Sequence, residues 1–315
     1  MKIIRITAVT LILITFISII VFGTANAEET EYVYSEYPLE RNGLALHLDC
    51  VQKPDCSPAG NILLVHGSSY SSHEFDIDYQ DYSLVRRLAM EGYAVWRIDI
   101  AGYGQSDPVA DGFLPDTGYA AEDINAAVEE IVRVSGQDKI DVLGWSWGTM
   151  TAGLFAVRHP EHLGKLILYA PIISGLGQRT LGDAFSYNTW SGAAEDFQTK
   201  EDGTFDLEIT DPILIEMFCS SCWHYDGDSS PNGWSKDAFV DSDTRLIDLD
   251  RIAAPTLLIY GDKDPNLNYG MLNIAAESLP EGSEVQIIPG GSHILMYEKN
   301  CYRDFQNRIL SFLEK

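Results

Sequence analysis

The sequence is poor in basic residues. It contains 21 lysines and arginines against 47 aspartates and glutamates among 315 residues, which gives a formal net charge of −26. A surface this acidic repels phosphate backbones and anionic lipid headgroups. The composition therefore argues against nucleic acid and anionic membrane surfaces as partners. The sequence also lacks internal repeats and low-complexity tracts, which argues against a repeat architecture.

Long hydrophobic runs are absent except at the N-terminus. Lys2 and Arg5 precede an apolar run over residues 6–22, and small residues at 24–27 suit an A-x-A cleavage site. The run is shorter than the ~20 residues that span a bilayer. We predict a signal peptide at residues 1–27, cleaved after Ala27, and a secreted or periplasmic chain without a stable membrane anchor. An uncleaved N-terminal anchor is the alternative, whereas a lipid-modified one would need a cysteine near Ala27.

Cysteine is also scarce, with five residues. Cys219 and Cys222 form a C-x-x-C motif, but it lacks the strand–helix context of a redox dithiol, and His224 alone does not complete a zinc site. In an exported chain we expect structural disulfides. The expected pairs are Cys50 with Cys56, and Cys219 or Cys222 with each other or with Cys301. One cysteine must stay unpaired within a monomer.

Strand-like and helix-like segments alternate over most of the remaining chain. Near-continuous hydrophobic runs separated by amphipathic segments are typical of a parallel sheet covered on both faces. The sequence therefore predicts an α/β fold whose mostly parallel central sheet is flanked by helices. The predicted strands follow a hairpin at 32–51 and lie at 61–65, 93–100, 139–143, 166–169, 255–260 and 284–288. The predicted helices lie at 79–90, 119–134, 272–279 and 296–313.

Residues 171–250 lack this alternation. The segment concentrates acidic, aromatic and turn-forming residues. We therefore predict one domain over residues 28–315, with a core at 28–170 and 251–315 and an inserted cap at 171–250.

A short motif predicts a nucleophile. Residues 144–148 read G-W-S-W-G, between an apolar run at 140–143 and a helix-like segment at 149–157. G-x-S-x-G between a buried strand and a helix is the signature of a nucleophile elbow, and its glycines relieve crowding in the tight turn. We predict that Ser146 is the nucleophile.

A serine nucleophile needs a base, and the base needs an orienting acid. His293 lies on a glycine-rich loop after the last predicted strand, a position that none of the competing histidines shares. Asp264 follows the strand at 255–260, with Asp262 as the alternative acid. The chain order Ser146, Asp264, His293 suits this type of site. The competing histidines are His73, His159, His162 and His224.

The oxyanion formed by serine attack requires backbone N–H donors. Their expected positions are the residue after the nucleophile, Trp147, and the loop after an earlier strand, at Ser68 with Ser69 as the alternate. Tyr70 and Trp145 are candidate pocket residues.

The predicted chemistry requires no metal and no cofactor. The D-G-D sequence at 226–228 and the D-S-D sequence at 241–243 lack the remaining spacing of a calcium loop. We predict that both are solvated turns.

Five segments together resemble the α/β-hydrolase superfamily. They are H-G-S at 66–68, D-x-x-G-x-G-x-S at 99–106, the elbow at 144–148, G-D-x-D at 261–264 and the loop at 289–293. The resemblance covers nearly all of the mature chain except the cap, and it implies the α/β-hydrolase fold. Ser146 argues against the haloalkane dehalogenase and epoxide hydrolase branches, whose members use an aspartate there.

The resemblance implies a hydrolase acting on a small-molecule acyl substrate. We favour cleavage of carboxylic esters with small or medium acyl groups. The alternative is a proline-iminopeptidase-like aminopeptidase, since S-W-G resembles that group's elbow, although Trp145 stands where that group typically has glycine. A non-catalytic binding module on the same fold is the third hypothesis.

Overall fold

Ten strands are present in the computed structural model, which describes residues 32–315. Eight of them form one sheet in the order β1-β2-β4-β3-β5-β6-β9-β10, and the other two form a small separate sheet. The strands are β1 (Val33–Arg41), β2 (Leu44–Gln52), β3 (Gly60–Val65), β4 (Tyr93–Ile98), β5 (Ile140–Trp145), β6 (Leu163–Tyr169), β7 (Phe185–Tyr187), β8 (Ser229–Pro231), β9 (Thr256–Gly261) and β10 (Glu284–Ile288).

The large sheet is mostly parallel. The β1–β2 hairpin and the β2–β4 pair are antiparallel, and every later neighbour pair is parallel. Parallel strands share the edge at which their carboxyl ends lie, so the loops that follow β3, β5, β9 and β10 meet on one side of the sheet.

Helices cover both faces of this sheet. Ile62 and Leu64 of β3 belong to the apolar cluster that includes the first and last helices, whereas Leu63 and Val65 belong to the cluster on the other face. Burial on both sides explains the continuous hydrophobic strands, and it confirms the predicted fold class. The helices are α1 (Leu84–Met90), α2 (Thr117–Ser135), α3 (Trp147–Arg158), α4 (Trp190–Ala193), α5 (Pro212–Asp226), α6 (Trp234–Ala238), α7 (Tyr269–Ser278) and α8 (Tyr302–Leu313).

Two predicted helices begin later than the sequence pattern indicated. The helix expected from residue 79 begins at Leu84, because the Ser83 side chain accepts the N–H of Arg86 and caps the helix there. The helix expected from residue 296 is a short 3₁₀ helix at Leu295–Tyr297, an extended residue at Glu298, and then α8.

Between β6 and β9 the chain leaves the large sheet. This stretch contains the β7–β8 pair and helices α4, α5 and α6. Leu214 and Phe218 of α5 are buried in the same apolar cluster as α1 and α8. The stretch corresponds to the predicted cap, and its exact bounds at 171 and 250 stay a prediction.

The predicted disulfides are wrong, because all five cysteines are free. Cys50 points from β2 into the core beside Trp96, whereas Cys56 lies exposed on the following loop. Cys219 and Cys222 are buried in the apolar cluster under α5, and Cys301 is buried near α8. Burial raises the pKa of the Cys219 thiol to about 11, which keeps it protonated at neutral pH.

The predicted signal peptide at residues 1–27 lies outside the described residues. Within residues 32–315, no helix is long and apolar enough to cross a bilayer.

Candidate active site

Ser146 lies in a strained turn between β5 and α3. Its backbone has φ 56° and ψ −120°, a conformation that few residues other than glycine adopt. The turn is so tight that a Cβ on Gly144 would lie 2.1 Å from the Gly148 carbonyl oxygen. A Cβ on Gly148 would lie 2.5 Å from the carbonyl oxygen of Val65. Both glycines of the motif are therefore required by close backbone contacts.

Gly148→Ala is expected to lower the free energy of unfolding by about 1–3 kcal/mol, the usual effect of overpacking. The added methyl group meets the backbone oxygens of Val65, at the end of the central strand β3, and of His66, which follows it. These atoms cannot move without disturbing the sheet. Chemical denaturation measures the change. Gly118→Ala in α2 is the matched control, because its Cβ would meet no atom closer than 3.4 Å. Equal stability of the two variants would refute this account of the elbow.

His293 and Asp264 form a hydrogen-bonded pair at the carboxyl edge of the sheet. The Nδ1 atom of His293 lies 3.0 Å from Oδ2 of Asp264, and both side chains are buried. Asp262 points elsewhere, since its Oδ1 accepts the N–H of Gly290 at 2.7 Å. The structure thus pairs Asp264, and not Asp262, with His293.

Ser146 and His293 line the same cavity, whose volume is about 810 Å³. The candidate pocket residues Tyr70 and Trp145 line it as well. The indole N–H of Trp145 and the hydroxyl of Tyr169 donate to the carbonyl oxygen of His293 at 3.1 and 2.9 Å. These two bonds hold the histidine loop against the elbow. The segment between β6 and β9 contributes further lining residues, including Ile172, Trp234 and Phe239.

The predicted oxyanion donors belong to the residue after Ser146 and to a loop that lines the same cavity. Trp147 is the first residue of α3, so its N–H has no acceptor within the helix. The loop that carries Ser68 and Ser69 lines the cavity. A Cβ on Gly67 would lie 3.5 Å from the Cβ of Ser146, which shows how closely this loop approaches the elbow.

His66 stabilises the loop after β3. It is fully buried, and its Nε2 accepts the N–H of Ile100 at 3.0 Å. Nδ1 must then carry the proton of the neutral ring, and it donates to the carbonyl oxygen of Gly67 at 2.8 Å. His66 thus ties the loop after β3, through Gly67, to the segment after β4, through Ile100.

Sequence reasoning missed three charged residues that line the cavity, namely Glu74, Asp196 and Arg179. Burial raises the pKa of Glu74 well above its usual range, and its Oε1 accepts the N–H of Gly67. Burial also raises the pKa of Asp196, although the charge of His293 lowers it in part. The guanidinium of Arg179 lies 4.7 Å over the ring of Phe239. Only Glu74 had a sequence signal, since it closely follows the H-G-S segment.

The prediction for the D-G-D sequence at 226–228 was wrong at Asp226. We predicted a solvated turn, but its carboxylate accepts both the N–H and the hydroxyl of Ser71 and the N–H of Gly104, at 3.1–3.2 Å. Burial raises its pKa to about 7. Asp226 therefore fastens the end of α5 to the loops after β3 and β4. The D-S-D sequence at 241–243 is exposed, as predicted.

Hydrolysis is expected to weaken as the pH falls through a value above 6.5. Burial lowers the pKa of His293, but the charge and hydrogen bond of Asp264 and the charge of Asp196 outweigh it, so the pKa lies above 6.5. A general base must be neutral, so protonation of His293 stops the reaction. Asp196→Asn removes one of these charges and should move the acidic limb of kcat/KM to lower pH. Glu195→Gln, at the exposed neighbouring position, should leave the limb unchanged. An unmoved limb in Asp196→Asn would count against this electrostatic account.

The sequence comparison is consistent with this geometry. The family model described as serine aminopeptidase, S33, matches residues 57–300, which include Ser146, Asp264 and His293. The chain belongs to this family of α/β-hydrolases. The match extends from β3 to the residues before α8 and includes the stretch between β6 and β9, whereas β1, β2 and α8 lie outside it.

Curated relatives of this α/β-hydrolase include different hydrolases. A pimeloyl-[acyl-carrier protein] methyl ester esterase of Neisseria meningitidis serogroup C is 29% identical over 216 residues, which cover 64% of this chain and 75% of the relative. The proline iminopeptidase PfmaB of Pestalotiopsis fici is 26% identical over 247 residues, covering 71% and 83%.

Solved structures show the same fold at low sequence identity. The carboxylesterase CesB of Bacillus subtilis is 17% identical with a TM-score of 0.59, covering 89% of this chain and 92% of that one. A bromoperoxidase of Bacillus anthracis is 19% identical with a TM-score of 0.64, covering 90% and 100%.

Proposed function

We propose that this protein is a serine hydrolase that cleaves carboxylic esters with small or medium acyl groups. The observation that carries the proposal is the common cavity of Ser146 and His293, with Asp264 bound to the far nitrogen of the imidazole. That arrangement leaves Nε2 of His293 for the serine hydroxyl, as a nucleophile–base–acid set requires.

The proposed reaction has two halves. His293 takes the hydroxyl proton as Ser146 attacks the ester carbonyl, and the N–H groups of Trp147 and Ser68 stabilise the oxyanion. His293 then protonates the departing alcohol, which leaves an acyl group on Ser146. In the second half, His293 activates a water molecule that attacks this acyl-enzyme and releases the acid. Asp264 orients the imidazole and stabilises its charged form throughout.

The cavity supports a substrate of modest size. Its volume of about 810 Å³ lies in the range of small-molecule sites. Tyr70, Ile172 and Phe239 provide apolar walls for an acyl group. The similarity to a methyl ester esterase supports the ester class.

A second candidate is an aminopeptidase, which the acidic residues of the cavity favour. A peptide amino terminus is cationic, and the carboxylate of Asp196 lies at the cavity near His293. The similarity to a proline iminopeptidase supports the same reading. The ester reaction is favoured because it requires no anionic subsite for a substrate amino group. Arg179 also lines the cavity and would repel such an amino group.

A paired substrate screen separates the two. Wild type and Ser146→Ala would be offered p-nitrophenyl esters of increasing chain length and the p-nitroanilides of proline and alanine. Serine-dependent turnover of the esters alone supports the esterase. Turnover of the anilides that requires a free amino group and is lost in Asp196→Asn supports the aminopeptidase. No turnover of either substrate class, together with no reaction with a serine-directed phosphonate, would contradict both enzyme hypotheses and favour a binding module.

We also propose that residues 1–27 direct export and are removed. Intact mass measurement of the protein made in its own cells tests this, since the processed chain should begin at residue 28. A chain that keeps residues 1–27 in the membrane fraction would support the anchor instead.

A further inference from the structure

A second cavity, of about 1210 Å³, lies between the β1–β2 hairpin and α5. None of Ser146, Asp264 and His293 lines it. Its wall contains three histidines, His47, His73 and His224, and a ring of carboxylates. The catalytic proposal above uses none of these histidines.

Two of the histidines converge with a buried aspartate. His47 lies in β2, His73 in the 3₁₀ helix Ser72–Phe75, and Asp99 directly after β4. One donor atom from each lies within 4.8 Å of the other two. Two imidazole nitrogens and a carboxylate oxygen are a donor set that suits zinc and its first-row neighbours. Metal–ligand bonds of about 2.1 Å in a tetrahedral site place the ligand atoms about 3.4 Å apart, so the three groups would have to close by about 1.4 Å at most.

The hydrogen bonds around the cluster orient the three side chains and leave each of them an atom that can still bind an ion. His73 Nε2 pairs with Oε1 of Gln105 at 2.9 Å, which leaves its Nδ1 for a ligand. Oδ1 of Asp99 accepts hydrogen bonds from the N–H and the hydroxyl of Ser72. Oδ2 of Asp99 accepts the N–H of Gln105 and keeps a second lone pair for an ion. The N–H of Asp99 donates to the carbonyl oxygen of His47 at 3.0 Å, so the two segments are held together before any ion binds.

His47 is the least satisfied member of the cluster. Its side chain is only 8% exposed, and its buried Nε2 makes no hydrogen bond within the described residues. Nε2 lies 3.5 Å from Oδ2 of Asp49. An ion on Nδ1 of His47 would therefore leave Nε2 directed toward a carboxylate, an arrangement that is common in metal-binding histidines.

The surroundings favour a cation. Carboxylates of Glu36, Asp49, Asp76, Asp78 and Glu216 line the cavity. Its two arginines are already engaged, since Arg86 pairs with Asp76 and Asp78 and Arg97 with Asp49. The ring of Tyr225, from α5, stacks on His73 with 3.2 Å between centroids and covers one side of the cluster.

We propose that His47, His73 and Asp99 bind a divalent transition-metal ion of the zinc class, separate from the candidate active site. The ion would join β2, the 3₁₀ helix and the loop after β4, and cavity water would complete its coordination. Its role is structural, because it would fix the segment that leads from the predicted oxyanion loop to α1.

The test uses full-length protein without a histidine tag, stripped with a chelator and titrated with Zn²⁺. We expect about one tightly bound equivalent by elemental analysis after gel filtration, and a higher Tm in excess Zn²⁺. His47→Gln and His73→Gln should each weaken binding by about 100-fold or more, since the loss of a ligand exceeds the usual second-shell effect. His224→Gln is the matched control from the same cavity, and His293→Gln excludes binding at the candidate active site.

The proposal is overturned if wild type retains no stoichiometric zinc, or if both ligand variants retain it with unchanged affinity. Circular dichroism establishes that each variant is folded. If the variants do not fold, Co²⁺ added to the stripped wild type replaces them as the readout. Visible d–d absorption that saturates at one equivalent supports the site, and its absence rejects it.

Discussion

Ser146→Ala is expected to lower kcat for ester hydrolysis by about 10⁵–10⁶-fold, as loss of the nucleophile does in serine hydrolases that use such a set. The fold should survive, because the Ser146 side chain makes no capping bond to α3 and alanine adds no atoms to the tight turn. Initial rates with p-nitrophenyl butyrate measure the first effect, and thermal unfolding measures the second.

Ser242→Ala is the matched control for that variant. Ser242 also lines the cavity, but it lies in the exposed segment between α6 and β9. We expect it to keep kcat within a few-fold of wild type. A Ser146→Ala protein with substantial remaining turnover would mean that the reaction does not proceed through this serine.

Asp264→Asn is expected to lower kcat by about 10⁴-fold, the effect of the equivalent change in a serine protease. Asparagine keeps the size of the side chain but offers its amide to His293 Nδ1, which favours the wrong tautomer. The charge that stabilises the imidazolium is lost as well. The rate measured at a pH well above the acidic limb isolates this effect from the changed pKa.

Asp262→Asn distinguishes this assignment from the alternative acid. Its amide oxygen can still accept the N–H of Gly290, so the loop after β10 should keep its position. We expect near-normal rates in this variant. Full activity in Asp264→Asn with a large loss in Asp262→Asn would reverse the assignment of the acid.

The parts of the site that could be predicted depend on local backbone geometry and chain order. The glycines at 144 and 148 are required by contacts within the strand–turn–helix unit and the adjoining strand β3, so the motif itself identifies Ser146. Because parallel strands present their carboxyl ends at one edge, the loops after β9 and β10 had to lie beside the elbow. This argument placed Asp264 and His293 without any knowledge of contacts.

The parts that were missed depend on contacts distant in sequence. Asp196 is one acid among many in the segment between β6 and β9, and only the folded chain places it near His293. Asp226 sits in a turn-like D-G-D sequence, yet it binds Ser71, which is 155 residues away. The disulfide prediction failed for a related reason, since cysteine spacing says nothing about which thiols the apolar core separates.

The most direct test of the central claim is reaction of the folded protein with a fluorophosphonate, followed by peptide mass mapping. We expect one adduct per chain, located on the peptide that contains Ser146, and none in Ser146→Ala. Asp264→Asn should react much more slowly than wild type. A folded wild-type protein that takes up no phosphonate, or carries the adduct on another serine, would contradict the assignment of Ser146 as the nucleophile.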